Sequence, residues 1–527
     1  MIINAMLKGF AIAVALVPLA AASPAFAQGK TLRVAINADA TTLDPHANNA
    51  FLNNMTLEQV YECLTTRGKD LGVEPSLATK WDRVEPTRWR FTLRPNVKWH
   101  DGSSFVADDV VFSLKRAMTP PSNYTIYIDS IVDVMRVDDL TVDVVTRAPD
   151  AILPDKLTRV FILSKNWATA NKSEPPQNFA AKEESFASRN AMGTGPYVLR
   201  SREPDVRIVM NRNANWWGKH EGNVETYIQM PIANDATRIS ALLAGDVDLT
   251  NYVPYQDLER LKRDQRMKVV EGMENRTLFL GMDQKRDELL YSDVKGKNPF
   301  KDVRVRRAVA MAVDIEAIKA RVVRGQATPT GSMWTPFVNG YTKANDVRLP
   351  LDRDRAKALL AEAGHPNGFR VTLDCPNGNY EETCVAIAGQ LARIGITVDV
   401  NLQAPALTFQ KFARQDTSFY ALSWGVPTLD ALYTLRGIIM SKEKVGSGSW
   451  NAGGYANEKV DDLIAKVAGE IDPDKRRGFI GEALATHNAD VGHIPLYHIA
   501  IPWAMARNVE AVHRADNFIV VKWVKLQ

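Results

Sequence analysis

The chain has 527 residues, and because single hydrophobic cores stop growing at about 250–300 residues, we expect more than one lobe. Lysine and arginine number 65 against 61 aspartate and glutamate residues, a near balance that indicates neither a nucleic-acid surface nor a patch for anionic membranes. Three cysteines are too few for a dense disulfide framework or a four-thiolate zinc site.

The first residues have the pattern of a secretory signal peptide. Lys8 gives a weakly positive start, an apolar stretch covers Phe10–Leu19, and Ala25-Phe26-Ala27 is typical of a cleavage site. A membrane anchor is the alternative, but the stretch is short for about 30 Å of hydrocarbon. We therefore predict a cleaved signal peptide over residues 1–27 and export to the periplasm of a Gram-negative cell.

Export affects the redox state expected for the three cysteines, Cys63, Cys375 and Cys384. In an oxidising compartment, Cys375 and Cys384 could pair across their short loop and leave Cys63 as a buried thiol. The spacing permits this disulfide without requiring it, because geometry decides and the sequence does not show geometry. Both the bonded and the reduced form therefore stay open at this point.

The periodicity of apolar residues predicts an α/β chain. Helices are predicted from Asp108-Asp109 onward and over residues 238–244, the second ending at Gly245. The stretch 149–176 is predicted to be irregular. Strands are predicted over residues 31–36, 87–93, 140–145, 198–201, 206–210 and 419–422, of which 198–201 and 206–210 form a hairpin.

The clearest supersecondary unit lies in the second half of the chain. A helix runs from its N-cap Asp352 to Gly364, and strand 369–373, helix 381–394 and strand 396–400 follow. A strand, a helix and a strand in this order imply a right-handed crossover and a parallel pair. The unit therefore predicts parallel pairing within an α/β fold.

Sequence motifs of exported hydrolases are missing. The sequence contains no Gly-x-Ser-x-Gly elbow, no His-Glu-x-x-His pair and no phosphate-binding loop ending in Gly-Lys-Ser/Thr. His487, His493 and His498 are spaced by six and five residues, which suits neither one helix face nor a compact ligand loop. We interpret them as structural histidines and predict neither catalysis, a metal nor a cofactor.

Five segments share residue pattern and order with one known family. They are Val73–Ala78, Val97–Gly102 running into Ala107–Phe112, Gly193–Tyr197, Pro299–Ala308 and Ala356–Gly364. On these segments the sequence resembles the peptide/nickel-type extracellular solute-binding proteins, often called family five. One departure is Val106, where the family usually has a threonine that caps the following helix, and loss of such a cap costs about 1 kcal/mol.

The resemblance implies a periplasmic binding protein-like α/β fold of type II (cluster C), in which two hinged lobes close over a buried ligand. By motif position, lobe I takes residues 28–70, 187–280 and 490–527, and lobe II takes residues 281–489. Residues 71–186 form an extra subdomain of lobe I. A ligand that bridges both lobes would shift the population toward the closed form.

The resemblance also implies a function and partners. The protein would capture a peptide-like or other small polar solute and deliver it to an inner-membrane ABC permease with its ATPase subunits. We expect a monomer with no nucleic-acid partner. The alternatives are a receptor for a nickel chelate or haem, which would need a histidine or charged cluster facing the cleft, and an exported hydrolase.

Two positions bear on the ligand. Dipeptide-type members of the family hold the peptide amino group with an aspartate three residues after a tryptophan that corresponds to Trp424, and Pro427 stands there. They hold the carboxylate with an arginine in a loop that here covers residues 374–380 and has none. A buried charge without a partner costs several kcal/mol, so a simple zwitterionic dipeptide is not the predicted ligand. Sugar conjugates, opine-like compounds or blocked peptides fit better, unless Asp430 holds the amino group in a shifted register.

Each predicted ligand residue also has a structural interpretation. Trp424 could fill the core, and Asn377 and Asn379 flank a glycine and could form a turn. Asp39 follows the first strand, where family members line the pocket mouth, but could instead satisfy loop backbone. The predicted ligand-binding residues are Trp424, Gly425, Asp430, Asn377, Asn379, Tyr380, Asp39 and Trp334.

Overall fold

The structure is a computed structural model that describes residues 30–378, 380–442 and 447–527. The predicted signal peptide over residues 1–27 and the predicted ligand residue Asn379 lie outside these ranges. Among the residues described, none of the helices combines the length and the apolar character needed to cross a membrane.

The described residues form strands that we number in chain order. They are β1 Thr31–Ile36, β2 Thr65–Arg67, β3 Val73–Pro75, β4 Ala78–Glu85, β5 Arg88–Leu93, β6 Ile131–Asp138, β7 Thr141–Thr146, β8 Tyr197–Glu203, β9 Arg207–Arg212, β10 Thr226–Pro231, β11 Leu249–Thr250, β12 Met267–Met282, β13 Ala327–Pro329, β14 Phe369–Pro376, β15 Ile396–Gln403, β16 Phe419–Gly425, β17 His493–Ala506, β18 Val509–Glu510 and β19 Lys525–Leu526.

The helices are numbered in the same way. They are α1 Phe51–Leu57, α2 Ala107–Met118, α3 Thr125–Ile128, α4 Leu153–Lys156, α5 Lys165–Ala170, α6 Phe186–Arg189, α7 Asp235–Ala244, α8 Leu258–Arg263, α9 Val303–Ala312, α10 Ile315–Arg321, α11 Arg353–Glu362, α12 Glu381–Leu391, α13 Pro405–Ala413, α14 Ala431–Thr434, α15 Glu458–Gly469 and α16 Pro473–Ala489. The predicted α/β fold class is confirmed.

One large sheet runs through the molecule in the order β15-β14-β16-β12-β17-β11-β1-β10-β9-β8, with β13 beside β17. β14 pairs with β15 and β16 in parallel, and β1 pairs with β10 and β11 in parallel. A separate antiparallel sheet, β4-β5-β7-β6, forms the centre of the subdomain. The long strands β12 and β17 are therefore the part of the large sheet that joins its two halves.

Several elements form where local sequence signals predict them. The Asp352 carboxylate accepts the Arg355 backbone N–H at 2.8 Å and so begins α11. The predicted crossover from β14 through α12 to β15 is present as a parallel pair, with Phe369 opposite Ile396. The stretch 149–176, predicted to be irregular, contains the short helices α4 and α5.

The helix whose N-cap is Val106 has no side-chain cap of the kind that a threonine would supply, but its first turn is held in another way. The Asp109 carboxylate in the first turn of α2 accepts the Val106 backbone N–H at 3.0 Å. Its second oxygen accepts the Lys165 backbone N–H at 2.9 Å. One carboxylate thus satisfies a backbone N–H at the helix start and ties α2 to α5.

The buried side chains form several clusters, of which two lie at opposite ends of β12 and β17. Leu32 of β1 and Phe91 of β5 belong to one buried cluster, so the subdomain shares its core with lobe I. Leu278 of β12 and Ile499 of β17 belong to the lobe II core, whereas Trp503 packs in lobe I. On β17 the change from one core to the other lies between Ile499 and Ile501, inside a continuous strand that carries no turn signal.

Of the two cysteine states that the sequence left open, the structure has the disulfide-bonded one. Cys375 at the end of β14 is bonded to Cys384 in α12, and both side chains are fully buried. Cys63 is a buried thiol.

Candidate functional site

The two lobes are connected by β12 and β17, which run side by side from one core to the other. Their antiparallel pairing is interrupted between Met273 and Thr277. Inside this interruption, the Asn275 backbone N–H donates to the Ala515 carbonyl at 2.6 Å and not to β17. An interrupted ladder bends more easily than a regular one, so this segment is the natural hinge between the lobes.

A cavity of about 240 Å³, which we call the hinge cavity, lies beside this interruption. Both lobes and both connecting strands contribute to its wall. The lining residues are Asn37, Phe51, Asp235, Arg238, Tyr252, Val253, Pro254, Tyr255, Glu274, Arg276, Tyr380, Ser423, Ile499, Ala500, Ile501 and Pro502. A site lined from both lobes is one that a hinge motion opens and closes.

An ion pair on β12 lies in the wall of the hinge cavity. The Arg276 Nε donates to a Glu274 carboxylate oxygen at 3.1 Å, and the side chains remain 33% and 12% exposed. Burial disfavours the charged Arg276, but the Glu274 carboxylate more than offsets this, so that the pKa of Arg276 is raised. Its only other hydrogen bond within the described residues is a long contact of 3.5 Å from Nη1 to the Ser423 carbonyl. The pair therefore presents a charged group of each sign to a ligand.

A second pair of charges belongs to lobe I. Arg238 of α7 is buried and donates to the backbone carbonyls of Ile232 and Tyr252 at 2.7 and 3.0 Å. Its guanidinium also pairs with Asp235, whose side chain is 54% exposed. The two carboxylates and two guanidinium groups in the cavity wall cancel, so a solute with no net charge fits best.

Tyrosines supply neutral polar groups around these charges. Tyr255 donates its hydroxyl to the Ala500 carbonyl at 3.0 Å. Burial raises the pKa of the Tyr252, Tyr255 and Tyr380 hydroxyls, so all three stay protonated at neutral pH. Tyrosine rings also give apolar contact area with a polar end, which suits a small organic solute.

Among the predicted ligand residues, Tyr380 lines the hinge cavity, at the N-cap of α12. Gly425 lies opposite Arg276 in the β12–β16 pair. A Cβ atom at Gly425 would lie 3.3 Å from the Asn275 carbonyl oxygen and 3.4 Å from the Arg276 Nη2, which places the guanidinium beside this part of β16. Asn377 is exposed, and its backbone N–H donates to the Gln403 carbonyl at 2.8 Å, extending the β14–β15 ladder.

Asp430 is engaged inside lobe II. Its two oxygens accept from the Arg476 guanidinium at 2.7 Å each, and one of them also accepts from Asn339 at 2.8 Å. Both side chains of the ion pair are almost fully buried. The hypothesis that Asp430 holds a ligand amino group is therefore withdrawn, because its charge is already matched within the core.

The remaining predicted residues lie outside the lining of the hinge cavity. Trp334 is fully buried in the lobe II core. Asp39 accepts from Arg202 at 3.4 Å and from the Asp205 backbone N–H at 3.1 Å, and Asn37 lines the cavity instead. Trp424 is 9% exposed and stacks on the Tyr433 ring with centroids 5.4 Å apart.

The sequence predictions did not include Glu274 and Arg276. A usable signal was present, because the two charges are two residues apart and project from the same face of a strand whose next residues, Thr277 to Met282, are mainly apolar. Charges that interrupt a buried strand need a partner, which is either within the protein or in a ligand.

The three C-terminal histidines are buried and bonded to protein groups. The His487 Nε2 and the His493 Nδ1 are 3.0 Å apart, and the His498 Nδ1 is 2.9 Å from the Thr277 hydroxyl. Within residues 30–378, 380–442 and 447–527, no group of three or more His, Cys, Asp or Glu side chains is arranged to hold a metal ion.

Comparisons with known proteins agree with this architecture. The family model of the bacterial extracellular solute-binding proteins, family 5 Middle, matches residues 72–443. The glutathione-binding protein GsiB of Salmonella typhi is 25% identical over 474 residues, which cover 88% of each chain. The chain therefore has a relative of nearly its own length among proteins named for a bound solute.

Solved structures show the same fold. The dipeptide-binding protein of Pseudoalteromonas sp. SM9913, in complex with Met-Leu, superposes with a TM-score of 0.80 at 22% identity and covers 94% of this chain and 100% of that one. AgaA of A. tumefaciens R10, in complex with agropinic acid, superposes with a TM-score of 0.77 at 22% identity, with coverage of 94% and 99%. The chain belongs to family 5 of the bacterial extracellular solute-binding proteins, a family of receptors for ABC importers and not of enzymes.

Proposed function

We propose that this protein captures a small zwitterionic, peptide-like solute in the hinge cavity and presents it to its importer in the closed form. The observation that carries the proposal is the Glu274–Arg276 pair in the wall of a cavity lined from both lobes. The hydrogen-bonding positions that Glu274 and Arg276 leave unfilled match an ammonium and a carboxylate on one solute.

This solute class revises the sequence prediction. Pro427 and the arginine-free loop 374–380 do leave the expected positions without counter-charges. Glu274 and Arg276 supply one charge of each sign from β12 instead, so a zwitterion can be matched in the cleft. One relative is named for binding glutathione and one similar structure for binding a dipeptide, and both solutes have ammonium and carboxylate groups.

Contacts between the lobes support closure as the response to the solute. The Arg67 guanidinium donates to the Thr428 carbonyl of lobe II at 2.7 Å. Arg436 of lobe II pairs with Asp129 of the subdomain at 2.7 Å. A solute held by both lobes adds to these contacts and shifts the population toward the closed form.

Membership of the family suggests the protein's location and its partners. We propose that the protein is a periplasmic monomer, exported with a signal peptide over residues 1–27 that is removed. It would hand its solute to an inner-membrane ABC permease driven by ATPase subunits. Mass spectrometry of the intact protein from the periplasm tests the cleavage, and light scattering at working concentration tests the monomer.

The solute class is tested by calorimetric titration with a panel of dipeptides. We expect micromolar dissociation constants, about −8 kcal/mol, for at least one member. Arg276→Met should weaken binding at least tenfold, because the carboxylate loses its counter-charge. Arg370→Met is the matched control, since Arg370 of β14 forms an exposed pair with Asp399 of the edge strand β15. Equal binding by Arg276→Met and Arg370→Met would contradict the proposal.

A further inference from the structure

A disulfide closes the segment that brings Tyr380 to the hinge cavity. Cys375 stands at the end of β14 and Cys384 near the start of α12, with a sequence separation of 9. Tyr380 lies between them at the N-cap of α12, and its side chain lines the hinge cavity. Both cysteine side chains are fully buried in the lobe II core. The bond therefore fixes both ends of a short segment that contributes to the cavity wall.

Few hydrogen bonds tie the described part of this segment to other strands. The Asn377 backbone N–H donates to the Gln403 carbonyl of β15 at 2.8 Å, and the Thr383 hydroxyl lies 3.0 Å from the Tyr497 hydroxyl of β17. Helix α12 begins without a hydrogen bond from a capping side chain. Gly378 has a φ of 123°, and no described atom lies within 4 Å of a Cβ atom placed there. A segment with such a glycine and so few ties would sample many conformations if the disulfide were open.

Tyr380 adjoins the charge that, in the proposed function, binds the solute carboxylate. It lines the hinge cavity together with Arg276 and Ser423. Burial raises the pKa of Tyr380, whereas hydrogen bonding by Ser423 and the positive charge of Arg276 act in the opposite direction, as neighbours of the hydroxyl do. A phenol held beside Arg276 can donate its hydroxyl to the same carboxylate. The position of this one side chain therefore affects affinity directly.

The disulfide orders Tyr380 before a solute arrives. A binding group that is already in place raises affinity, because the entropy of ordering it is not lost on binding. The closed loop is short, so opening it would release freedom mainly between the two bonded cysteines. Cys63 belongs to the lobe I core cluster and not to that of lobe II, so the bonded pair has no third cysteine in its own core with which to exchange.

We propose that the Cys375–Cys384 disulfide is a positioning element of the solute site, which holds Tyr380 beside Arg276 so that the oxidised protein binds its solute more tightly than the dithiol form. The proposal rests on the proposed function. It differs from a general stabilising role, because it assigns the effect of the bond to one side chain in the cavity wall. It also makes solute capture depend on an oxidising compartment.

A double-mutant cycle tests this coupling by calorimetric titration with Ala-Leu. Cys375→Ala combined with Cys384→Ala should weaken binding by about fivefold or more in the wild-type background, but by less than about twofold when Tyr380→Ala is present, since the bond then has no side chain to position. Ile387→Val is the matched control, because Ile387 is buried in the same helix and core, and its change should leave affinity within about twofold. A loss that persists unchanged beside Tyr380→Ala, or no loss in either background, overturns the proposal.

The dithiol form of the wild type, refolded and kept in tris(2-carboxyethyl)phosphine, replaces the alanine pair in the cycle if that pair does not fold. If no dipeptide binds the wild type, the solute class is wrong, and the positioning is tested without solute by hydrogen exchange. We expect the amides at positions 377, 381 and 384 to exchange about tenfold or more faster without the disulfide, while those of the β14–β15 pair before Cys375 keep their rates. Equal exchange in both forms overturns the positioning.

Discussion

Two carboxylate–guanidinium pairs, one in the core of lobe II and one at the hinge, have the same chemistry but differ in burial. Asp430 and Arg476 are 2% and 5% exposed and make two contacts of 2.7 Å. Glu274 and Arg276 are 12% and 33% exposed and make one contact of 3.1 Å in a cavity wall. The first pair is saturated by the protein and the second is not. We therefore propose that the charges available to a ligand are those whose hydrogen-bonding positions the protein leaves unfilled, wherever they stand relative to a family motif.

The largest expected effect concerns the saturated pair. Arg476→Met leaves the Asp430 charge buried without its partner and should lower the free energy of unfolding by about 3–5 kcal/mol. Urea unfolding monitored by circular dichroism measures this. Arg370→Met removes an exposed partner of Asp399 and should cost at most about 1 kcal/mol. If Arg476→Met were as mild as Arg370→Met, the contrast between saturated and exposed pairs would be wrong.

A second effect concerns groups that the fold keeps uncharged. Burial lowers the pKa of His487 and of His498 to about 4, from about 6.5 in the unfolded chain. Because the unfolded state takes up these protons first, their contribution to stability is complete above about pH 6.5 and is lost as the pH falls toward about 4.

The loss should be on the order of 3 kcal/mol for one such histidine. Urea midpoints at pH 7.5, 5.5 and 4.5 measure it, and His498→Gln should flatten part of the slope. A midpoint that is unchanged over this range would show that these histidines are not held neutral.

The smallest expected change in stability concerns the cavity pair. Glu274→Gln should lower the free energy of unfolding by about 1–2 kcal/mol, less than Arg476→Met does, because Glu274 is mostly buried but Arg276 keeps a third of its side chain exposed to water. The same change should weaken binding of a zwitterionic dipeptide at least tenfold, since the ammonium loses its counter-charge. Urea unfolding and calorimetry on the same sample separate the two effects. A large loss of stability with unchanged affinity would place Glu274 with Asp430, as a structural carboxylate.

The parts of the fold that depend on neighbouring residues could be predicted from the sequence. The Asp352 cap, the stop at Gly364 and the parallel pair of β14 and β15 follow from capping and periodicity, which act over a few residues. The division into two lobes and a subdomain stays a prediction from the order of family segments, because β12 and β17 cross between the cores without a turn that would mark a boundary.

The site was mostly beyond local signals. Tyr380 was predicted and lines the hinge cavity, but Asp430 is neutralised by Arg476, which is 46 residues away in the sequence. The interruption that places Glu274 and Arg276 in the cavity wall arises from the pairing of β12 with β17, more than 200 residues later. Periodicity does not reveal partners at such separations, so the charged pair was missed.

The central claim is that one solute brings an ammonium and a carboxylate to Glu274 and Arg276. The most direct measurement compares the affinity of the wild-type protein for Ala-Leu with its affinities for N-acetyl-Ala-Leu and for Ala-Leu amide. We predict micromolar binding of the free dipeptide and a loss of at least tenfold, about 1.4 kcal/mol, for each blocked form. A blocked form that binds as tightly as the free dipeptide would contradict the claim.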